Sequence, residues 1–169
     1  VINNGNSSTG RIYAYLNTST VGSLSFALAA TVNPGIQLRN SVQLFDMDGD
    51  GRLDVVVPGL FSGTTVLRNT TTPLSSNITF ASPVSFASNS DLLTSCADLD
   101  GDGRPDIIVG GSSPNSGYAN ISVLRNTSVS GTISFASFVD IPTVGGDPNG
   151  VNVGDLDNDG KPDLVVGNV

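Results

Sequence analysis

The chain has 169 residues, a formal net charge of −8, 38% apolar residues and 6% aromatic ones. It contains no Glu, His or Trp, which leaves acid–base and nucleophilic catalysis little to work with, so no enzymatic role is expected. Seven cationic residues in an acidic chain supply no basic stripe for nucleic acid, and no stretch approaches the ~20 apolar residues of a membrane-spanning helix.

Short apolar runs punctuated by Gly, Pro, Asn and Ser, without helical periodicity, predict strands throughout. The first strand-like segments are Arg11 to Asn17, Leu24-Ser-Phe-Ala27 and Val42-Gln-Leu-Phe45. An acidic nonapeptide follows, Asp46-Met47-Asp48-Gly49-Asp50-Gly51-Arg52-Leu53-Asp54, and runs into the aliphatic Asp54-Val-Val-Val57. The succession then recurs: Thr64 to Asn69, Ile78-Thr-Phe-Ala81, Leu93-Thr-Ser-Cys-Ala97, the nonapeptide from Asp98 to Asp106, and Asp106-Ile-Ile-Val109. It recurs once more with Ile121 to Asn126, Ile133-Ser-Phe-Ala136, Val151-Asn-Val-Gly154, the nonapeptide from Asp155 to Asp163, and Asp163-Leu-Val-Val166. The second nonapeptide starts 52 residues after the first and the third 57 after the second. Four short strands in a repeat of that length predict an all-β fold of β-propeller blades, each a four-stranded antiparallel sheet, in about three repeats. On this reading residues 1–40 hold strands three and four of a blade, 41–91 and 92–149 are whole blades, and 150–169 are the first half of another.

The nonapeptide Asp-x-Asp-x-Asp-Gly-x-x-Asp places four carboxylates in nine residues, which repel one another unless a cation sits among them. Hard oxygen donors on a flexible loop point to calcium. Asp46, Asp48 and Asp50 can turn inward around one ion, Gly51 permits the turn that brings the Arg52 carbonyl to it, and Asp54 closes the shell. Asp98, Asp100, Asp102, Arg104 and Asp106 repeat this set, as do Asp155, Asp157, Asp159, Lys161 and Asp163, with each cationic side chain expected to lie free outside. An EF-hand would carry Glu at the twelfth loop position, where this chain has Val57, Val109 and Val166. Three calcium ions would add six positive charges to the net −8, so the acidity reads as a ligand inventory.

The loops with their flanking strands, as in the stretch from Val153 to Gly167, resemble the FG-GAP/VCBS repeats of bacterial surface proteins and of integrin α-subunit propellers. The resemblance covers essentially the whole chain as three units. It implies that each acidic loop joins the first and second strands of a blade and that its calcium is structural. The Phe-Gly and Gly-Ala-Pro signatures of the family are reduced to Val57-Pro-Gly59, Val109-Gly-Gly111 and Val166-Gly-Asn168, so the resemblance carries the calcium loop and not integrin-like ligand recognition.

Six Asn-x-Ser/Thr sequons, at Asn6, Asn17, Asn69, Asn77, Asn120 and Asn126, are candidate glycosylation acceptors, and Asn17, Asn69 and Asn126 end equivalent strands. Cys96, the single cysteine, is expected as a buried structural thiol. Asp91, Asp140 and Asp147 are scattered outside the loops and unpaired by sequence. The stretch from Val1 to Asn17 parallels that from Val109 to Asn126, so the two terminal segments read as complementary half-blades. Their expected partner is another copy of the chain or a neighbouring repeat, joined head to tail. The expected role is structural, as the mature or excised part of a secreted product at the cell surface, in an adhesin or fibre. The alternative is a lectin-like binding module, for which Tyr13, Tyr15 and Tyr118 are the aromatic candidates.

Overall fold

The computed structural model describes residues 2–3, 10–39, 41–60, 63–89, 92–112, 119–146 and 148–168. Among these, thirteen strands and no helix are found, in four antiparallel sheets. The first sheet holds β1 (Ile2–Asn3), β2 (Arg11–Asn17) and β3 (Phe26–Val32) in that order. Two four-stranded meanders follow: β4 (Gln43–Phe45), β5 (Asp54–Gly59), β6 (Gly63–Leu67) and β7 (Val84–Phe86), then β8 (Leu93–Ala97), β9 (Asp106–Ser112), β10 (Ala119–Leu124) and β11 (Val139–Pro142). The fourth sheet is the pair β12 (Pro148–Gly154) and β13 (Asp163–Asn168).

The aliphatic runs after the first two acidic loops become second strands covered on both faces, which suits continuous Val and Ile better than alternation. In β5, Val55 and Val57 pack with Leu67, Ile12 and Leu38 toward the first sheet. Val56 and Val66 face the other way, into a cluster with Met47, Cys96, Ile107, Val109 and Leu124 toward the third. The third sheet in turn meets the fourth through β8 and β9 against β12. The sheets thus stand face to face in a row, and among the described residues they form no closed ring. Strands at the two ends of the row have a face without a sheet against it: Leu28 of β3 and Val165 of β13 are exposed.

Two expectations need correction. The segment 1–40 carries three strands, because Ile2 and Asn3 pair with Ile12 and Arg11. The fourth strand of each meander does not begin at 78–81 or 133–136: Phe80 and Phe135 make only isolated bridges, to Asn69 and Asn126, and the ladders form further along, in β7 and β11. Hydroxyl side chains take the backbone amides there, Thr71 Oγ1 accepting from Thr79 N at 3.0 Å and Ser128 Oγ from Ser134 N at 3.0 Å. Such local bonds compete with a strand ladder and leave a narrow hairpin in its place.

Candidate metal centres

Each acidic loop lies between the first and second strands of its sheet, joining β4 to β5, β8 to β9 and β12 to β13. The bend rests on two left-handed residues per loop. Gly51, Gly103 and Gly160 at the sixth position have φ of 85, 84 and 87°, and Gly49, Gly101 and Asn158 at the fourth have 71, 78 and 62°. Gly enters that region without strain and Asn tolerates it better than most residues, which explains the Gly/Gly/Asn choice at the fourth position.

The first carboxylate gathers the turn. Asp46 accepts from Asp50 N at 3.0 Å and Gly51 N at 2.8 Å, and Asp98 and Asp155 accept from the corresponding amides of their own loops. The ninth carboxylate bridges the loop to the strands: Asp54 Oδ2 accepts from Met47 N at 3.0 Å and Oδ1 from Asn69 N at 2.7 Å. Asp106 does the same with Leu99 N and Asn126 N, at 3.0 and 2.8 Å, and Asp163 accepts from Leu156 N at 2.9 Å. Burial pushes the Asp54 and Asp106 carboxyls up from the ordinary range, against the lowering by these amide bonds. A cation in the loop would act in the lowering direction.

Three groups of carboxylate oxygens come together: Asp46 with Asp48 and Asp50, Asp98 with Asp100 and Asp106, and Asp155 with Asp157 and Asp163. Within each group the oxygens lie within 4.8 Å of one another. Oxygens shared by one ion at 2.3–2.6 Å stand at most about 5 Å apart, so the spacing of each group is compatible with one shared metal ion.

The cationic side chains of the seventh position do not lie free, as the sequence suggested. Arg52 pairs with Asp50, Arg104 Nη2 donates to Asp102 Oδ2 at 2.8 Å, and Lys161 Nζ lies 3.7 Å from Asp159 Oδ2. Desolvation opposes the Asp102 charge, but the backbone and side-chain hydrogen bonds from Arg104 outweigh it and hold that carboxyl below its usual range. A second cation comes from the end of the third strand, which sequence reasoning missed. Arg68 Nη1 lies 3.8 Å from both Asp48 Oδ2 and Asp50 Oδ2, while Arg125 donates to Asp100 and Asp102. The recurrence of Val-Leu-Arg-Asn-Thr at 66–70 and 123–127 was the available signal.

The asparagines that end these strands are latches. Asn126 is fully buried, and its Nδ2 donates to Pro105 O and, across the sheet boundary, to Met47 O, both at 2.9 Å. Its Oδ1 accepts from Ser128 N at 2.8 Å in an Asx turn. Asn69, half-buried, repeats the pattern with Leu53 O and Thr71 N. The expectation of glycan acceptors on the outside of successive blades therefore fails at Asn126, whose amide has no solvent access. Asn17 and Asn77 are exposed, Asn120 is half-buried, and Asn6 lies outside the described residues.

Across the same boundary Gly131 N donates to Asp48 Oδ2 at 2.7 Å, so the first loop is held by its own sheet and by the next. Asp140, unpaired by sequence, accepts from Ser122 Oγ at 2.7 Å and from the Asn89 amide; Asp91, Asp147 and Tyr118 lie outside the described residues. Burial raises the Cys96 thiol to about 12, as befits a structural residue. Residues 98–166 match the family model of the FG-GAP-like repeat. This part of the chain carries an FG-GAP-like repeat. The match runs from the second acidic loop through β9, β10, β11 and β12 and the third loop into β13, one full period of the sheet row. No curated protein and no solved structure gives a significant match to the chain.

Proposed function

We propose that the chain is a calcium-stabilised structural module whose four-strand meanders are propeller blades, working outside the cell as a rigid segment of a surface adhesin or fibre. The observation that carries this reading is the first loop's double attachment. Its carboxylates converge within 4.8 Å, while Met47 O and Asp48 Oδ2 are bonded to Asn126 and Gly131 of the next sheet. An ion held by Asp46, Asp48 and Asp50 would supply the positive charge that three adjacent carboxylates need, and it would stiffen the junction between two sheets as well as a turn. Asp98, Asp100 and Asp106, and Asp155, Asp157 and Asp163, would hold the other two ions.

Extracellular calcium modules work with dissociation constants of about 10⁻⁴–10⁻³ M, matched to calcium outside cells. Two groups outside the loops are bonded as structural groups: Asp140 within its sheet and Cys96 in the core. These contacts support a mechanical role. Calorimetric titration with calcium tests it, with three sites expected, and a chain that binds none would refute it.

A further inference from the structure

The first two acidic loops receive a guanidinium that their own sequences do not contain. Arg68 and Arg125 stand just after β6 and β10, more than a dozen residues beyond the loops they reach. The backbone places them there. Asp54 Oδ1 accepts from Asn69 N at 2.7 Å and Asp106 Oδ1 from Asn126 N at 2.8 Å, which ties the residue next to each arginine to the end of the loop. Both arginines address the same two positions, the third and fifth carboxylates. Arg68 Nη1 lies 3.8 Å from Asp48 Oδ2 and from Asp50 Oδ2, while Arg125 Nε donates to Asp100 Oδ2 at 2.5 Å and its Nη2 to Asp102 Oδ2 at 3.2 Å.

The pairing changes the charge that a cation would meet. Each of these loops carries four carboxylates and one arginine at the seventh position, Arg52 or Arg104, already paired with the fifth carboxylate. With Arg68 or Arg125 added, the loop is two positive charges short of neutrality, the charge of one divalent cation. Without it the deficit is three. The arginine remains charged at any working pH, so this offset is permanent.

We infer that Arg68 and Arg125 are charge-setting residues of the first two metal centres: each orders its loop while no ion is bound, lowers the loop's affinity for any cation, and matches it to a divalent one. The inference rests on the calcium reading above and adds what sets the strength and charge preference of two of its sites. In a water-like dielectric, a unit charge about 6 Å from a divalent ion changes its binding constant about tenfold, and from a trivalent ion about thirtyfold. Removing the arginine should therefore tighten binding of both ions, and of the trivalent ion more, while loosening the empty loop. An arginine that only supported the fold would, on removal, weaken every one of these properties.

The sixth-position glycine amides report the three loops separately. Gly51, Gly103 and Gly160 donate to the first carboxylates Asp46, Asp98 and Asp155 at 2.8, 2.8 and 2.9 Å, and those carboxylates belong to the three converging groups. Nitrogen–proton correlation spectra of the whole chain, titrated with calcium or with diamagnetic lanthanum in dilute buffer, give a dissociation constant at each. In Arg125→Gln, altered at an exposed site, the constant read at Gly103 should fall about tenfold for calcium and about thirtyfold for lanthanum, with those at Gly51 and Gly160 unchanged. The same variant should melt below the unmodified chain in excess EGTA. Arg125→Lys, which keeps the charge and loses the fork, should hold both constants within about threefold of the original. Arg68→Gln should move Gly51 as Arg125→Gln moves Gly103.

Calcium binding at Gly103 that is unchanged or weakened in Arg125→Gln would overturn the inference and leave the calcium reading standing, as would equal gains for the two ions. Glycine amides that answer neither ion in the unmodified chain would overturn both.

Discussion

Replacing Asn126 by Ala removes three hydrogen bonds from a fully buried site: Nδ2 to Met47 O and Pro105 O, each 2.9 Å, and Ser128 N to Oδ1, 2.8 Å. At a net ~1 kcal/mol per bond, with two carbonyls left short of a donor in the interior, the loss comes to about 3 kcal/mol. For a domain of this size that lowers the melting temperature by about 6–12 °C. Asn69→Ala removes the same turn bond and one carbonyl bond from a half-buried site, for about 1–2 kcal/mol. Asn17 is exposed, and among the described residues its Oδ1 accepts only from Ser19 N, so Asn17→Ala should cost about 0.5 kcal/mol. Urea unfolding of the three variants, in calcium, gives the order directly. Equal effects at the three sites, or Asn17→Ala as damaging as Asn126→Ala, would refute the assignment of Asn126 as the latch between sheets.

Asp157→Asn should reduce the calcium bound by one equivalent in a calorimetric titration while leaving the other two sites intact. Gly63→Ala should lose at least about 2 kcal/mol in urea unfolding, because Gly63 has φ of 71° and a Cβ there would sit 2.1 Å from Phe86 O. The Cys96 thiol, raised to about 12 by burial, should react with a disulfide reagent only at the rate of unfolding, and rapid reaction of the native protein would contradict its place in the core. Peptide mapping of native material should find residue 126 unglycosylated whatever the state of Asn17 and Asn77, and a glycan on Asn126 would contradict its burial.

The strand order and the loop positions were legible because each rests on a local rule. Aliphatic triplets such as Val55-Val-Val57 announce strands covered on both faces, and the Asp/Gly alternation announces a tight, anionic turn. The second left-handed position was legible too, in Gly49, Gly101 and Asn158, but only to a reader asking which residues tolerate positive φ. The start of the fourth strand was not, since Thr71 and Ser128 look like strand residues until their hydroxyls are seen capping amides that a ladder would use. Asn126 shows the deeper limit. A sequon and a buried latch are written with the same letters, and only the neighbouring sheet, seventy-nine positions away at Met47, decides between them. The pairing of Arg68 and Arg125 with the loops has the same origin: the fold, not the spacing, returns the end of the third strand to the turn between the first two.

Thermal unfolding in millimolar calcium and in excess EGTA bears most directly on the three loops. With calcium at about ten times each site's dissociation constant, each ion adds ~1.4 kcal/mol and three independent ions about 4 kcal/mol. That corresponds to a melting temperature higher by about 8–16 °C in calcium than in EGTA. The same melting temperature in both, on protein shown to be metal-free before the calcium was added, would contradict a calcium-stabilised fold.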